Sequence, residues 1–330
     1  MKLVFAKNVL RKYLLMIAVL LLFFAGGYRA FNIYSTYRSY DSEVEAIEKN
    51  THTNIHNVLK VVIEEAHDVI EYKTKMESMS LHRLMIESMS IEDIYDNIVN
   101  MELGEDLILI LNNVFDLSES NDKTIITVGT KDYVFFCKSN INSDDFDHLG
   151  VDSQYITWEE YYSHMNDPEI IKMAYEDLVM QRTDYVILRV DNVYPEGRYY
   201  NIEDVIQEYH ENGMKNLDKY YMLTLGVITE NGDIFGEPDD DYMKHNPNVN
   251  KLYIYRSVCL ERYIKEYKPI LDSFSQSMSA KIIQTRNRTE VCNGMINIFL
   301  VISTIIIIMV VIKSLDDENV EIQNKMDKPD

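Results

Sequence analysis

Met295 to Ile312 reads MINIFLVISTIIIIMVVI, eighteen residues without a charge, and a helix needs about 17–25 such residues to cross hydrocarbon. The β-branched run Ile305 to Ile308 would suit a strand in water. A strand that apolar would need partners on both faces, however, and Lys313 closes the segment abruptly. A transmembrane helix is therefore expected over residues 295–312, and it decides how the chain before it is read.

A second apolar run, Leu14 to Ala25, follows Lys2, Lys7, Arg11 and Lys12. Two readings fit it. Ala25, Gly26 and Gly27 supply the small residues of a signal-peptide cleavage site, whereas Tyr13, Tyr28 and Phe31 lengthen the run into an uncleaved anchor. In both cases the basic flank stays in the cytoplasm and the residues after Gly27 emerge on the other side.

Between the two segments, residues 28–291 carry 25 basic and 48 acidic side chains, a net charge of −23 against −22 for the whole chain. Nucleic acid is excluded as a partner by that balance. Cys292 lies at the mouth of the second span, which leaves Cys137 and Cys259 as the one pair an oxidising compartment could join. The wealth of Ile, Asn, Lys and Tyr beside three cysteines is that of a low-GC bacterial envelope protein. Asn287-Arg288-Thr289 is a formal glycosylation sequon, common by chance.

No glycine or proline interrupts residues 28–103, so a long helical region is expected after the anchor. Ile55, Val58, Val62, Ala66 and Val69, with Leu59, Ile63 and Ile70 beside them, mark one apolar face. One helix over this stretch would reach about 114 Å, so a fold-back is expected near Ser78 to Ser90, with Ser90 and Asp93 as a capping box. Further on, Thr124–Val128 and Tyr133–Cys137 flank Gly129-Thr130-Lys131-Asp132 as a hairpin, and helices should start at the Thr157 cap and at Asp167-Pro168. Tyr185–Val190 reads as a strand, Asn201 caps a helix that Gly213 ends, and Tyr220–Thr229 turns at Glu230-Asn231-Gly232-Asp233 toward a last strand at Leu252–Tyr255. From Tyr263 the stripe Tyr263, Tyr267, Leu271, Phe274, Met278, Ile282 keeps helical spacing, with a kink expected at Pro269.

Chemical motifs are sparse. His52 and His56 share a helix face, with Glu64 and His67 a turn or two further along, but without a zinc-protease spacing, and Asp239, Asp240 and Asp241 lack the alternating ligands of a calcium loop. Glu159 and Glu160 are adjacent, so on a helix they point about 100° apart and make no acid–base pair. No nucleophile elbow, P-loop or dinucleotide fingerprint occurs, and nothing calls for a cofactor. Aromatics crowd the middle of the chain, from Tyr155 and Trp158 to Tyr220 and Tyr221. Trp158, Tyr185, Arg189, Asp191, Arg198, Tyr199 and Tyr200 together offer aromatic walls, cations and a carboxylate, which a small zwitterion would need.

The layout resembles bacterial two-transmembrane receptors with a Cache or PAS-like extracytoplasmic sensor: a long helix from the first anchor, a mixed antiparallel domain, a helix into the second. Arg198-Tyr199-Tyr200 before a helix resembles the Arg-x-Trp-Tyr element of amino-acid-binding Cache domains, with tyrosine in the tryptophan position. The resemblance implies a ligand-sensing domain. It departs after Lys313, where such receptors continue into a kinase, cyclase or methyl-accepting domain and this sequence runs on only to Asp330, so no cytoplasmic enzymatic output is expected.

The expected fold class is α+β, with two transmembrane helices flanking an extracytoplasmic domain of long membrane-connected helices and a small antiparallel sheet. Its order is a basic cytoplasmic N-terminus (1–12), a membrane helix or signal anchor (13–28), a long helical region (29–112), the α+β domain (113–256), a membrane-proximal helix (257–294), the span (295–312) and an acidic cytoplasmic tail (313–330). The expected partners are the lipid bilayer, another membrane protein or a second copy, and a small ligand. A sensing or signal-modulating role competes with an envelope assembly factor and an anchored extracytoplasmic enzyme.

Overall fold

The computed structural model describes residues 2–88, 93, 105–118, 120–141, 156–163, 167–191, 194–195, 197–229 and 251–326. The chain divides into two compact units, Met1–Thr53 with Asp272–Asp330, and Asn54–Leu271. The second unit is α+β. Its six strands, β1 (Thr124–Gly129), β2 (Tyr133–Ser139), β3 (Ile156–Thr157), β4 (Tyr185–Arg189), β5 (Tyr220–Thr229) and β6 (Lys251–Cys259), form one sheet in the order β3-β2-β1-β6-β5-β4. Every neighbouring pair is antiparallel. Strand β5 has the expected bounds, and its pairing with β6 makes the expected hairpin, although the turn at 230–233 lies outside the described residues. Strand β6 is longer than Leu252–Tyr255 because both its neighbours, β1 and β5, pair with it to Val258.

Helix α1 (Lys2–Ser88) is unbroken over 87 residues. It runs straight through Glu77–Ser80, so the fold-back does not begin there; the proposed cap at Ser90 lies outside the described residues. The reason is packing. Ile55, Leu59, Val62, Ile63, Ala66, Ile70, Thr74, Ser78 and Leu81 are all buried, and their spacing of three and four keeps them on one helix face. Val69, expected on that face, is exposed, because it lies about 100° round the helix from Ile70.

Successive strand residues point to opposite faces, and each sheet face has its own cover. On one face Thr224 meets Thr74 of α1 (Oγ1 to Oγ1, 2.9 Å), and Arg256 pairs with Glu77. A Cβ on Gly226 would collide with Ser78 Oγ and lie 3.2 Å from Thr74 Cγ2, so only glycine admits α1 this close. Helix α2 (Glu105–Val114) adds Leu107 and Leu111 to the same side, packed with Leu81, Phe115, Ile126, Val128, Ile228 and Ile254. The opposite face carries α3 (Trp158–Ser163) and α4 (Pro168–Val179), whose Tyr161, Tyr162, Ala174, Tyr175 and Leu178 pack on Val134, Val186, Leu223 and Tyr255.

The expected helix starts are present. The Thr157 hydroxyl accepts from the Glu160 amide, Pro168 sits in the first turn of α4, and Asn201 with Asp204 closes a reciprocal capping box on α5 (Ile202–Asn212), which ends at Gly213. After β6 come α6 (Glu261–Glu266) and α7 (Lys268–Met326), with Tyr267 between them. Pro269 therefore opens a helix instead of kinking one, the position where its missing N–H costs nothing. Tyr267 donates its hydroxyl to Glu65 of α1, 2.8 Å away, a residue beside the apolar face of that helix and not on it. Among the described residues, one helix is long and apolar enough to cross a membrane, α7 over Lys268–Lys313. Cys137 and Cys259 are free thiols; Cys137 lies beside the Thr127 hydroxyl at 3.8 Å, and Cys259 beside the Asp218 carbonyl at 3.4 Å.

Candidate functional site

The seven residues singled out above separate into three places. Tyr185 and Arg189 are both on β4, four residues apart, so they share the α1 face of the sheet. Tyr185 lies against His67 of α1, the rings tilted by 42° with 4.7 Å between centroids. At the other end of the strand, Arg189 is the centre of a polar and aromatic cluster. Its Cζ lies 5.3 Å from the Tyr220 ring centroid, its Nη1 reaches the Tyr200 hydroxyl at 3.4 Å, and Tyr194 clasps its backbone, donating to the Arg189 carbonyl and accepting from its amide, each at 3.2 Å. Arg189 Nε stands 2.8 Å from Asp191 Oδ1, while Lys219 holds Asp191 Oδ2 at 3.2 Å. The Nε–Oδ1 contact is off the hydrogen-bonding direction, so both atoms are buried without a hydrogen bond.

Electrostatics follow from that crowding. Burial opposes the charge on Arg189, but the Tyr200 hydrogen bond and the nearby Tyr220 and Asp191 outweigh it and raise its pKa. Burial pushes the Tyr194 and Tyr220 phenols up, keeping both neutral donors. Glu208, which accepts from Tyr220 at 3.3 Å, is held below the usual carboxylate value: desolvation works against ionisation, and hydrogen bonds from Asn216 and Asn212 overcome it. The cluster thus presents a cation, an anion and neutral phenols, the set that matches both ends of a zwitterion.

Arg198 lies elsewhere. Its guanidinium makes a bidentate contact to Asp204, 2.5 and 2.8 Å, with its side chain 46% exposed. Asp204 is the same carboxylate that caps α5, and the Arg198 hydrogen bond holds its pKa low. Tyr199 turns to the other side and donates to Asp177 of α4 at 3.2 Å, whereas Tyr200 reaches Arg189. Trp158 belongs to the opposite sheet face. It rests over Gly129, where a Cβ would come within 2.7 Å of the indole, and donates to the Thr130 carbonyl at 2.8 Å. Tyr161, Tyr162, Tyr175 and Tyr255 surround it at centroid distances of 5.3–5.7 Å. These rings fill each other's space, the Tyr161 hydroxyl bonding Thr127 and Tyr175, so the group reads as core.

Sequence reasoning missed Tyr194, Lys219, Glu208 and Tyr220 as members of the Arg189 cluster. The available signal was strand parity: Arg189 pairs with Tyr220 across β4 and β5. Of the histidine set, His56 faces Glu203 at 3.6 Å, and His67 lies with Asp68 and Glu71 so that one ligand atom of each falls within 4.8 Å of the others. Both carboxylates are exposed, which solvated acids on one helical turn adopt without an ion. Tyr155 and Asp239–Asp241 lie outside the described residues. Compared with family models, curated proteins and solved structures, the chain matches none.

Proposed function

We propose that this chain is a membrane-anchored sensing or signal-modulating protein: two spans hold the α+β unit outside the cytoplasm, where it takes a small ligand, and it acts through other proteins of the bilayer. The observation that carries this reading is continuity. The helix that contains the first apolar run is the same unbroken helix that covers the sheet, and the last strand leads through α6 into the helix containing the second run. An event at the sheet is therefore covalently close to both membrane segments. The ligand site is the Arg189 cluster, where a carboxylate would give Arg189 Nε the acceptor it lacks and an ammonium would give Asp191 Oδ1 a donor. The Cache or PAS-like likeness and the absence of a nucleophile motif agree with binding in preference to turnover.

Thermal-shift screening of the full chain in detergent against amino acids, amines, nucleotides and divalent metals tests the proposal, since a specific ligand raises the midpoint by mass action. Arg189→Ala should abolish the shift, whereas Arg198→Ala, which removes an exposed pair, should keep it. A ligand whose effect survives Arg189→Ala places the site elsewhere, and a chain that no compound stabilises favours the envelope assembly role. One observation leans toward that second reading: α1 carries an exposed apolar stripe.

A further inference from the structure

The buried residues of α1 occupy one side of the helix, yet Val61, Val69, Tyr72, Met76 and Met79 are large, apolar and between 44% and 66% exposed. At 100° per residue they centre about 150° away from the buried stripe, so they form a second apolar face on the side of α1 turned away from the sheet. Val69, Tyr72, Met76 and Met79 follow the spacing three, four, three, which is four consecutive seam positions of a heptad repeat. Solvated helix faces are normally polar, and this one lies in a unit with a large acidic excess.

We infer that this face is a homodimer seam, in which α1 of one copy packs in parallel and in register against α1 of a second. Three features select a second copy as the occupant. The seam is heptad-spaced, the pattern one α-helix offers another. Its flanks complement themselves: with Val69 and Tyr72 in the seam, Asp68 and Lys73 take the flanking positions, and parallel alignment sets Asp68 of each copy beside Lys73 of the other. Finally, the stripe would remove on the order of 1,000 Å² from water in the pair, at the low end for proteins meeting in solution but ample for chains already confined and co-oriented on one bilayer. A two-fold axis along the membrane normal makes the contact isologous, each residue near its own counterpart. The parallel sense rests on the membrane-anchored reading above; the dimer itself rests on the stripe.

Single-cysteine scanning of the full chain in native membranes tests it, in a background where Cys137, Cys259 and Cys292 are replaced by serine. Under mild oxidation Val69→Cys, Tyr72→Cys, Met76→Cys and Met79→Cys should each crosslink to itself, at least tenfold more than Glu71→Cys or Lys60→Cys on the helix flank. Tyr72→Glu added to Met76→Cys should abolish the crosslink while leaving the domain folded, because Tyr72 is 66% exposed in its own domain. Crosslinking only between Val69→Cys and Met79→Cys chains would show an antiparallel pair and overturn the inference. So would crosslinks exclusively to another protein, or none at all in a chain that sediments with membranes. Recovery of the chain in the soluble fraction would instead sink the anchoring reading, and the self-crosslinks would still decide whether the stripe is a dimer seam.

Discussion

Arg256 is 1% exposed in the middle of the sheet, flanked by Ile126 of β1 and Thr224 of β5, and among the described residues it pairs with Glu77 of α1. Desolvation raises the Glu77 pKa above its usual 4.5 even though Arg256 and Lys73 pull it down. At Glu77, burial thus works against the charge more than Arg256 and Lys73 favour it, and desolvation is the term expected to weigh against a buried ion pair. The components are not symmetric to removal. Glu77→Ala leaves a guanidinium buried without a counter-charge, with a cost of about 3–5 kcal/mol, or a midpoint lower by about 10 °C for a domain of this size. Glu77→Leu with Arg256→Met removes both charges and should melt within about 1 kcal/mol of the parent or above it. Thermal unfolding by circular dichroism of the parent, Glu77→Ala, Glu77→Leu, Arg256→Met and the double variant measures this. A Glu77→Ala variant within about 1 kcal/mol of the parent, or a double variant as unstable as the two single losses added, would refute the account.

Val62→Asp should lower stability by about 3 kcal/mol or more, since Val62 lies on the buried face of α1, while Lys60→Glu on the solvent side should be nearly silent in the same melt. Alkaline pH should weaken the fold. Burial pushes Cys137 and Cys259 up to about 11 and raises Tyr161, Tyr175 and Tyr255, while the unfolded chain releases those protons near 9.0 and 10.0. The folded state then holds more protons than the unfolded one, and stability falls as pH rises above about 9 by about 1.4 kcal/mol per pH unit for each group; a flat melting profile from pH 8 to 11 would contradict this. In intact cells of a Cys292→Ser strain, an impermeant maleimide should label Asp145→Cys and spare Asp330→Cys. The reverse pattern would invert the proposed topology.

The elements legible in the sequence were those written in local chemistry. Asn201 with Asp204, Thr157 with Glu160, and Pro168 each announce a helix start through backbone groups within four residues, and Tyr220–Thr229 declared itself by β-rich composition before an Asn-Gly turn. The unbroken course of α1 was not legible, because so long a helix looks due for a fold-back until Ser78 is seen packed on Gly226, 148 positions away in the chain. The candidate site was half legible. Composition brought together Arg189, Asp191 and Tyr200, which do meet, but also Trp158, Arg198 and Tyr199, which strand and turn parity send to other surfaces. Adjacent Tyr199 and Tyr200 part company for that reason alone, one reaching α4 and the other β4.

The close approach at Gly226 bears on how movement could pass through α1. Ser78 sits over the one position in β5 without a side chain, Thr74 is bonded to Thr224, and Glu77 to Arg256, all within about one helical turn. Sliding α1 by a turn, about 5.4 Å, would bring Thr74 or His82 to the spot that Ser78 fills, and small slips would drive side chains into the strand. The helix behaves like a bolt resting in a detent. To move along the sheet it has to give up the hydroxyl bond and the ion pair and clear the contact at Gly226.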